Sequence, residues 1–385
     1  MHRRDFLQTV AAVPMTAVPA SAMALSFATE TVTNRSLAAA QSQTPKPAGD
    51  AAVGKSRLKL GIDNFAVRGM NWKAPQLIEY AASLAVDSLF ISDLDAFESL
   101  EPKDLQLLRQ KAQDAGLTLH LGTWSICPTS TRFRNQRGTA EEHLRLGIRS
   151  AKALGSPVIR VILGSGDDRS TPGGIQARIA DTVKVLKACR SEAVDAGIKV
   201  AMENHAGDLQ ARELVELIET AGKDFVGANM DSGNAVWTLE DPFTNLELLG
   251  PYAATTSLRD SAIWMSEKGY TVQWTAMGDG QVDWKKYFAL FAELCPQVPV
   301  HIETISGFNR EIPIFEPDYM KAFSQARAAD LARLLALART GKPMSPFMPP
   351  AGQDRQKADQ AYQKDQIERS IRYCREIGLG VRQPA

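Results

Sequence analysis

Three short apolar runs in the second half of this chain of 385 residues each end in an acid. They are Val200-Ala201-Met202-Glu203-Asn204-His205, Ala228-Asn229-Met230-Asp231-Ser232-Gly233-Asn234 and Val300-His301-Ile302-Glu303-Thr304. Parallel strands of a closed barrel finish at one rim, so if these runs are such strands, Glu203, Asp231 and Glu303 converge in space despite their separation in sequence. Carboxylates crowded into a concave site repel one another and take up protons unless a cation holds them together. All-oxygen ligation suits a hard divalent ion, Mn²⁺ or Mg²⁺. The competing reading makes each acid a helix N-cap, where exposed backbone N–H groups favour a carboxylate. That suffices for a single Asp, whereas three acids each closing an otherwise apolar strand point to a shared site.

The elements that must position these acids follow from the hydrophobic patterning. Runs rich in apolar and β-branched residues predict strands over 58–65, 88–92, 118–122, 158–163, 199–203, 225–231, 254–258 and 298–304. Helical periodicity falls between them, over 75–84, 104–115, 140–154, 174–196, 211–221 and 284–294, and Gly116, Gly155, Gly197 and Gly222 close four of these segments. Strands separated by helices run parallel, and closing them into a ring removes both exposed edges. The predicted class is therefore α/β, a (β/α)8 TIM-type barrel over 57–309 with a C-terminal helical extension over 310–385. A doubly wound open sheet is the alternative, but no Gly-rich dinucleotide loop follows the first strand. In the extension an amphipathic helix is predicted over 318–340, with the stem of Arg327 snorkelling outward, and a Pro-rich link over 343–350 follows. A polar helix over 353–377 carries a narrow stripe of Tyr362, Ile367, Ile371 and Cys374, which packs on the barrel exterior or on another subunit of a homo-oligomer.

The N-terminus carries a different signal. Arg3 and Arg4 precede an uncharged stretch over 9–28 with small-x-small sites at 20–22 and 22–24, the pattern of a twin-arginine export leader over 1–28. The alternative is a cytosolic tail with a chance arginine pair. An Ala-, Ser-, Thr-, Gln- and Pro-rich linker over 29–56 joins it to the barrel. The expected location is periplasmic or exported, with no stable membrane anchor because no later run spans a bilayer. Forty-four basic residues balance 44 acidic ones, which gives no electrostatic ground for nucleic acid as a partner and leaves small molecules as the ligand class. Cys127, Cys189, Cys295 and Cys374 lack CxxC spacing and are expected as buried thiols.

Glu203-Asn204-His205, Asp231-Ser232-Gly233-Asn234, Arg259-Asp260, Gly278-Asp279-Gly280 with Val282-Asp283, and Ile302-Glu303 resemble, in order and spacing, the motifs of the xylose isomerase-like barrel superfamily over 58–307. That superfamily includes sugar phosphate isomerases, ketose 3-epimerases and barrel-type AP endonucleases. The resemblance implies that Glu203, Asp231 and Glu303 ligate the metal and that Glu203 and Glu303 also form the acid and base pair. A metal bridging a carbonyl and a neighbouring hydroxyl would stabilise the enediolate formed when one glutamate removes the adjacent carbon's proton and the other returns it. One departure stands out: Ser257 occupies the position where the family places a metal-binding histidine, and a hydroxyl is a poor replacement for imidazole.

Substrate contacts are expected from His205, Asn234, Trp124, Arg259 and Trp274. His205 has an alternative local hydrogen-bonding role, Trp124 and Trp274 are sugar-stacking faces or ordinary loop anchors, and Arg160 binds an anion or pairs with an acid inside the barrel. His120 and His301 are expected as packed barrel residues and His143 as a solvated one. The implied activity is a metal-dependent sugar isomerase or epimerase working on a sugar or keto-sugar. A lyase, hydratase or decarboxylase of a 3-keto sugar and a non-catalytic sugar-binding barrel are the alternatives. An AP endonuclease would need more histidines than the five present and a basic groove.

Overall fold

The computed structural model describes residues 58–380. The expected leader over 1–28 and nearly all of the linker over 29–56 lie outside the described residues. All eight predicted strands form, as β1 (Leu60–Asp63), β2 (Ser88–Ile91), β3 (Thr118–Ser125), β4 (Val158–Ile162), β5 (Lys199–Glu203), β6 (Val226–Met230), β7 (Ala253–Thr256) and β10 (Val300–Ile302). They pair in parallel in the order β10-β1-β2-β3-β4-β5-β6-β7. Leu258, just beyond β7, closes the ring: its N–H donates to His301 O at 2.8 Å and its carbonyl accepts from Glu303 N at 2.9 Å. Each strand is covered on both faces, which is why β4 reads Val-Ile-Arg-Val-Ile rather than alternating.

The interior holds a short polar chain where pure hydrocarbon would be simplest. His120 Nδ1 lies 2.9 Å from Thr255 Oγ1, which lies 3.3 Å from His301 Nδ1, and Phe90 packs against both rings. Burial pushes His120 down to about 3 and His301 well below the usual imidazole range, so both stay neutral, as packed barrel histidines should. His143 corrects the sequence reading: it is buried, not solvated, because its helix Ala140–Leu154 presses it against β3, where Nε2 meets Thr123 Oγ1 at 2.7 Å.

Between β7 and β10 the chain adds a second, antiparallel sheet of β8 (Asp260–Met265), β9 (Tyr270–Thr275) and, after β10, β11 (Asn309–Ile312). Its inner face and the helix Ala328–Ala338 bury a separate apolar cluster that includes Trp237, Ile263, Tyr270, Val272, Trp274, Ile312 and Leu334. Asp260, at the start of β8, staples the segment that follows β9 by accepting the N–H groups of Gly278 at 2.9 Å and Gly280 at 3.0 Å, and it also accepts from Ser261 N at 2.8 Å. A Cβ on Gly280 would lie 2.2 Å from Asp260 Oδ1, so the Gly278-Asp279-Gly280 motif is an architectural one.

The extension departs from prediction in one place. Two helices, Pro317–Lys321 and Ala328–Ala338, replace the single one over 318–340, because Phe323 drops into the second cluster beneath Arg169, 4.2 Å from its ring. Arg327 caps the second of these helices instead of lying on its apolar face. The helix Arg355–Glu376 packs on its own barrel: Ile367, Ile371 and Cys374 are buried in the main core, Gly69 N donates to Gln363 at 2.8 Å and Met277 N to Ser370 at 2.9 Å. All four cysteines are buried free thiols, as expected. Among the described residues no helix is long and apolar enough to cross a membrane.

Candidate active site

The strand ends do converge. A cleft of about 180 Å³ opens at the C-terminal rim of the barrel, floored by Arg160, Glu203, Asn234, Arg259 and Glu303 and walled by Phe65, Trp124, His205, Trp237, Trp274 and Ile305. The acids on its floor are held by nitrogen donors. Glu203 Oε2 lies 3.1 Å from Arg160 Nε and accepts from Asn229 Nδ2 at 3.0 Å, while Oε1 accepts from Asn234 Nδ2 at 3.3 Å. Asn234 also reaches Asp231 Oδ2 at 2.7 Å. Arg259 Nη2 sits between Asp231 and Glu303 and donates to both. Arg160 thus pairs with an acid, one of its two expected roles, and donates from Nη1 to Thr123 O at 2.8 Å.

Asp231 divides its carboxylate between two sets of partners. Its Oδ1 caps the following turn by accepting from Gly233 N and Asn234 N at 2.8 Å each, while Oδ2 faces Arg259. It is fully buried beneath the floor and does not line the cleft. Ser257 is likewise beneath it, donating to Asp63 Oδ2 at 3.1 Å and accepting from Asn229 at 3.2 Å. Asp63, at the end of β1, is a fourth buried acid that strand-end reasoning applied only to the late strands overlooked. Desolvation pushes the Asp63, Asp231 and Glu303 carboxyls above their usual range, with Arg160 opposing it at Asp63 and Arg259 at the other two.

His205 takes the local role and keeps a free face. Its Nδ1 donates to Gly164 O at 2.7 Å, which fixes the tautomer and leaves Nε2 as the acceptor of a ring that burial keeps neutral. Trp124 is anchored by its indole N–H to Arg132 O at 2.8 Å, with the Arg134 guanidinium 4.7 Å from its ring, and meets His205 edge-on. Trp274 corrects the sugar-stacking expectation, since both its faces are covered. Trp237 stacks on one at 4.0 Å with the planes 12° apart, and the Arg259 guanidinium lies 4.3 Å from the ring centroid on the other. It is also a β9 residue rather than a loop residue.

The xylose isomerase-like TIM barrel family model matches residues 78–311, more than half of the chain. The chain belongs to that family. Among curated proteins it is 26% identical over 210 residues to a 3-oxo-isoapionate decarboxylase of Pectobacterium atrosepticum, covering 54% of this chain and 69% of that one. Among solved structures it resembles a D-psicose 3-epimerase determined in the presence of D-fructose, with a TM-score of 0.55 and 16% identity over 84% of this chain and 100% of that one. It also resembles the IolI protein solved with a bound zinc atom, with a TM-score of 0.51 and 15% identity over 74% of this chain and 100% of that one. These likenesses are to the barrel fold.

The metal that this family implies does not fit the donor set of this chain. A divalent ion needs several lone pairs aimed at one point. Here Glu203, Asp231 and Glu303, the expected ligands, each already accept from guanidinium or amide N–H groups, and Arg259 takes the space between two of them. The Ser257 hydroxyl, at the family's histidine position, is engaged with Asp63 and Asn229. Among the described residues no group of three or more His, Cys, Asp or Glu side chains is disposed to hold a metal ion. The side chains expected to ligate Mn²⁺ or Mg²⁺, Glu203, Asp231, Glu303 and Ser257, are thus engaged with protein donors and acceptors in this structure.

Proposed function

We propose that this protein is a sugar isomerase or epimerase that moves a proton on the carbon next to the carbonyl of a keto-sugar. The observation that carries the reading is that two glutamates from well-separated strands, Glu203 and Glu303, reach one aromatic-walled cleft at the barrel's C-terminal rim, beside a guanidinium. In the forward step one glutamate takes the proton. The C–H electron pair forms the C=C bond of an enediolate and the carbonyl π pair moves onto oxygen. Return of a proton to the opposite face by the other glutamate inverts the centre, and return to the former carbonyl carbon isomerises the sugar as the neighbouring hydroxyl gives its proton to the former carbonyl oxygen and becomes the new carbonyl. In this reading His205 and Asn234, which line the cleft, orient the hydroxyls and Trp124 meets the sugar ring. The leader-like Arg3-Arg4 segment supports action outside the cytoplasm on free or glycosidically linked sugars rather than on phosphorylated ones.

The likeness to a decarboxylase favours a second fate for the same intermediate, in which loss of CO₂ from a 3-oxo acid creates the enediolate and protonation quenches it. Incubating the protein in D₂O with free ketoses, 3-keto-glycosides and 3-oxo sugar acids tests both readings. Deuterium at the carbon beside the carbonyl supports the first, and CO₂ release supports the second. Glu203→Gln and Glu303→Gln should each slow exchange by about 10²–10⁴-fold. Ligand binding with no exchange and no CO₂ would mark a binding barrel and overturn both.

A further inference from the structure

We infer that this barrel works without a divalent ion and that the Arg259 guanidinium is its resident cation, holding the acid cluster together and receiving the charge that develops on the substrate oxygen. The second half of that statement rests on the proton-transfer reading; the first does not. Three features of the chain are built around this side chain. Ser232 pins its backbone from both sides, with Oγ donating to Arg259 O at 2.7 Å and accepting from Arg259 N at 3.0 Å. Gly233 clears its stem, because a Cβ there would lie 2.3 Å from Cγ and 2.4 Å from Cδ of Arg259. Overhead, Arg259, Trp274, Trp237 and Arg310 form one continuous stack, with spacings of 4.3, 4.0 and 3.8 Å. Trp274 Nε1 donates to Gly233 O at 2.9 Å, locking the stack to the same turn.

The Ser232-Gly233-Asn234 turn is thus the seat of an arginine. The seat places a permanent charge where an ion would otherwise be needed. A guanidinium stays protonated at any physiological pH and presents five N–H donors in a fixed plane. Both of the side chain's hydrogen bonds among the described residues leave from Nη2, Nε has no partner, and Arg259 lines the cleft, so the Nη1 donors are uncommitted. When the C–H pair moves into the C=C bond and the π pair onto oxygen, a donor already oriented meets the charge without reorganising. The proton passes only between the substrate carbon and the glutamates, so no ion or co-reactant is required.

The test begins with the wild-type protein, dialysed against EDTA and titrated with Mn²⁺, Mg²⁺ and Zn²⁺ by calorimetry and by thermal melting. The inference expects no stoichiometric metal after purification, no heat of site binding and an unmoved melting temperature. Stoichiometric Mn²⁺ or Zn²⁺ on the wild type overturns it, whatever the activity. Arg259→Met removes the resident cation and leaves Asp231 and Glu303 facing each other, so this variant should gain Mn²⁺-dependent thermal protection. On a sugar that exchanges, EDTA should leave the wild-type rate unchanged, and Arg259→Met should lower it by about 10²–10³-fold, as loss of an oxyanion donor does. Exchange that EDTA abolishes and Mn²⁺ restores overturns the inference while sparing the proton-transfer reading. A failure of every sugar to exchange removes that reading, and the metal titrations still decide the cation.

Discussion

Arg160→Met is the perturbation whose size follows most directly from the geometry. Arg160 and Glu203 are 6% and 3% exposed, with Nε and Oε2 3.1 Å apart. Removing one partner of such a buried pair costs about 3–5 kcal/mol, because the other charge is left desolvated and unpaired. Glu203 would keep its two asparagine donors, at 3.0 and 3.3 Å, which places the loss at the lower end. Giving up the bond to Thr123 O, at 2.8 Å, adds about 1 kcal/mol, so Arg160→Met should lose about 4 kcal/mol in total. Glu203→Gln, which strands the guanidinium instead, should lose about 3 kcal/mol. The double variant buries no uncompensated charge and should lose only about 3–4 kcal/mol rather than the roughly 7 kcal/mol of independent sites, a coupling of about 3–4 kcal/mol. Urea unfolding at pH 7, followed by tryptophan fluorescence with the slope checked for constancy, measures all corners of the cycle. Additive losses, or a loss below about 1 kcal/mol for Arg160→Met, would show that the pair does not hold the cleft floor.

Other consequences are simpler to state. Burial holds His143 at about 4 in the fold against about 6.5 in the unfolded chain, so the unfolded state alone gains a proton on acidification. Its contribution is intact above pH 6.5 and is lost at up to about 1.4 kcal/mol per unit as pH falls toward 4. The stability gap between wild type and His143→Gln should therefore narrow between pH 7 and pH 5, and a constant gap contradicts the buried neutral ring. Gly280→Ala forces a Cβ to within 2.2 Å of Asp260 Oδ1, so it should cost about 1–3 kcal/mol and loosen the hood, seen as faster amide exchange in β8 and β9; an unchanged melting temperature speaks against the staple. Replacing Arg3 and Arg4 by lysine should retain the full-length protein in the cytoplasm, as read by cell fractionation, and undiminished export would refute a twin-arginine leader.

The barrel itself was plain in the sequence because its strands are covered on both faces. Burial of that kind writes an uninterrupted apolar run, and β4 and β5 lie where such runs predict them. The hood left a weaker trace. β8, β9 and β11 are only four to six residues long and sit beside motif residues, so Arg259-Asp260 and Gly278-Asp279-Gly280 look like rim loops until Asp260 is seen gathering the amides of the second segment. The broken helix at 322–327 escaped notice for a related reason: Phe323 continues the helical stripe in sequence, yet it is claimed by the second cluster and Arg169. Trp274 showed its residue type and not its neighbours, so its covered faces could not be anticipated.

The acid cluster shows where sequence reasoning stops. That Glu203, Asp231 and Glu303 share a rim follows from strand ends alone, and so does their need for positive charge. What supplies the charge depends on which side chain reaches between them, and both a metal and an arginine satisfy the same pattern of acids. Ser257 was the residue that separated the two. An imidazole there would offer a lone pair to an ion, whereas the hydroxyl turns to Asp63 and accepts from Asn229, closing the ring of nitrogen donors around Glu203. Asp63, Glu203, Asp231 and Glu303 then face two guanidiniums, Arg160 and Arg259, and each guanidinium forms an ion pair with an acid on the cleft floor. With Ser257 turned to Asp63 and Asn229, the positive charge that keeps these acids buried together comes from the two guanidiniums.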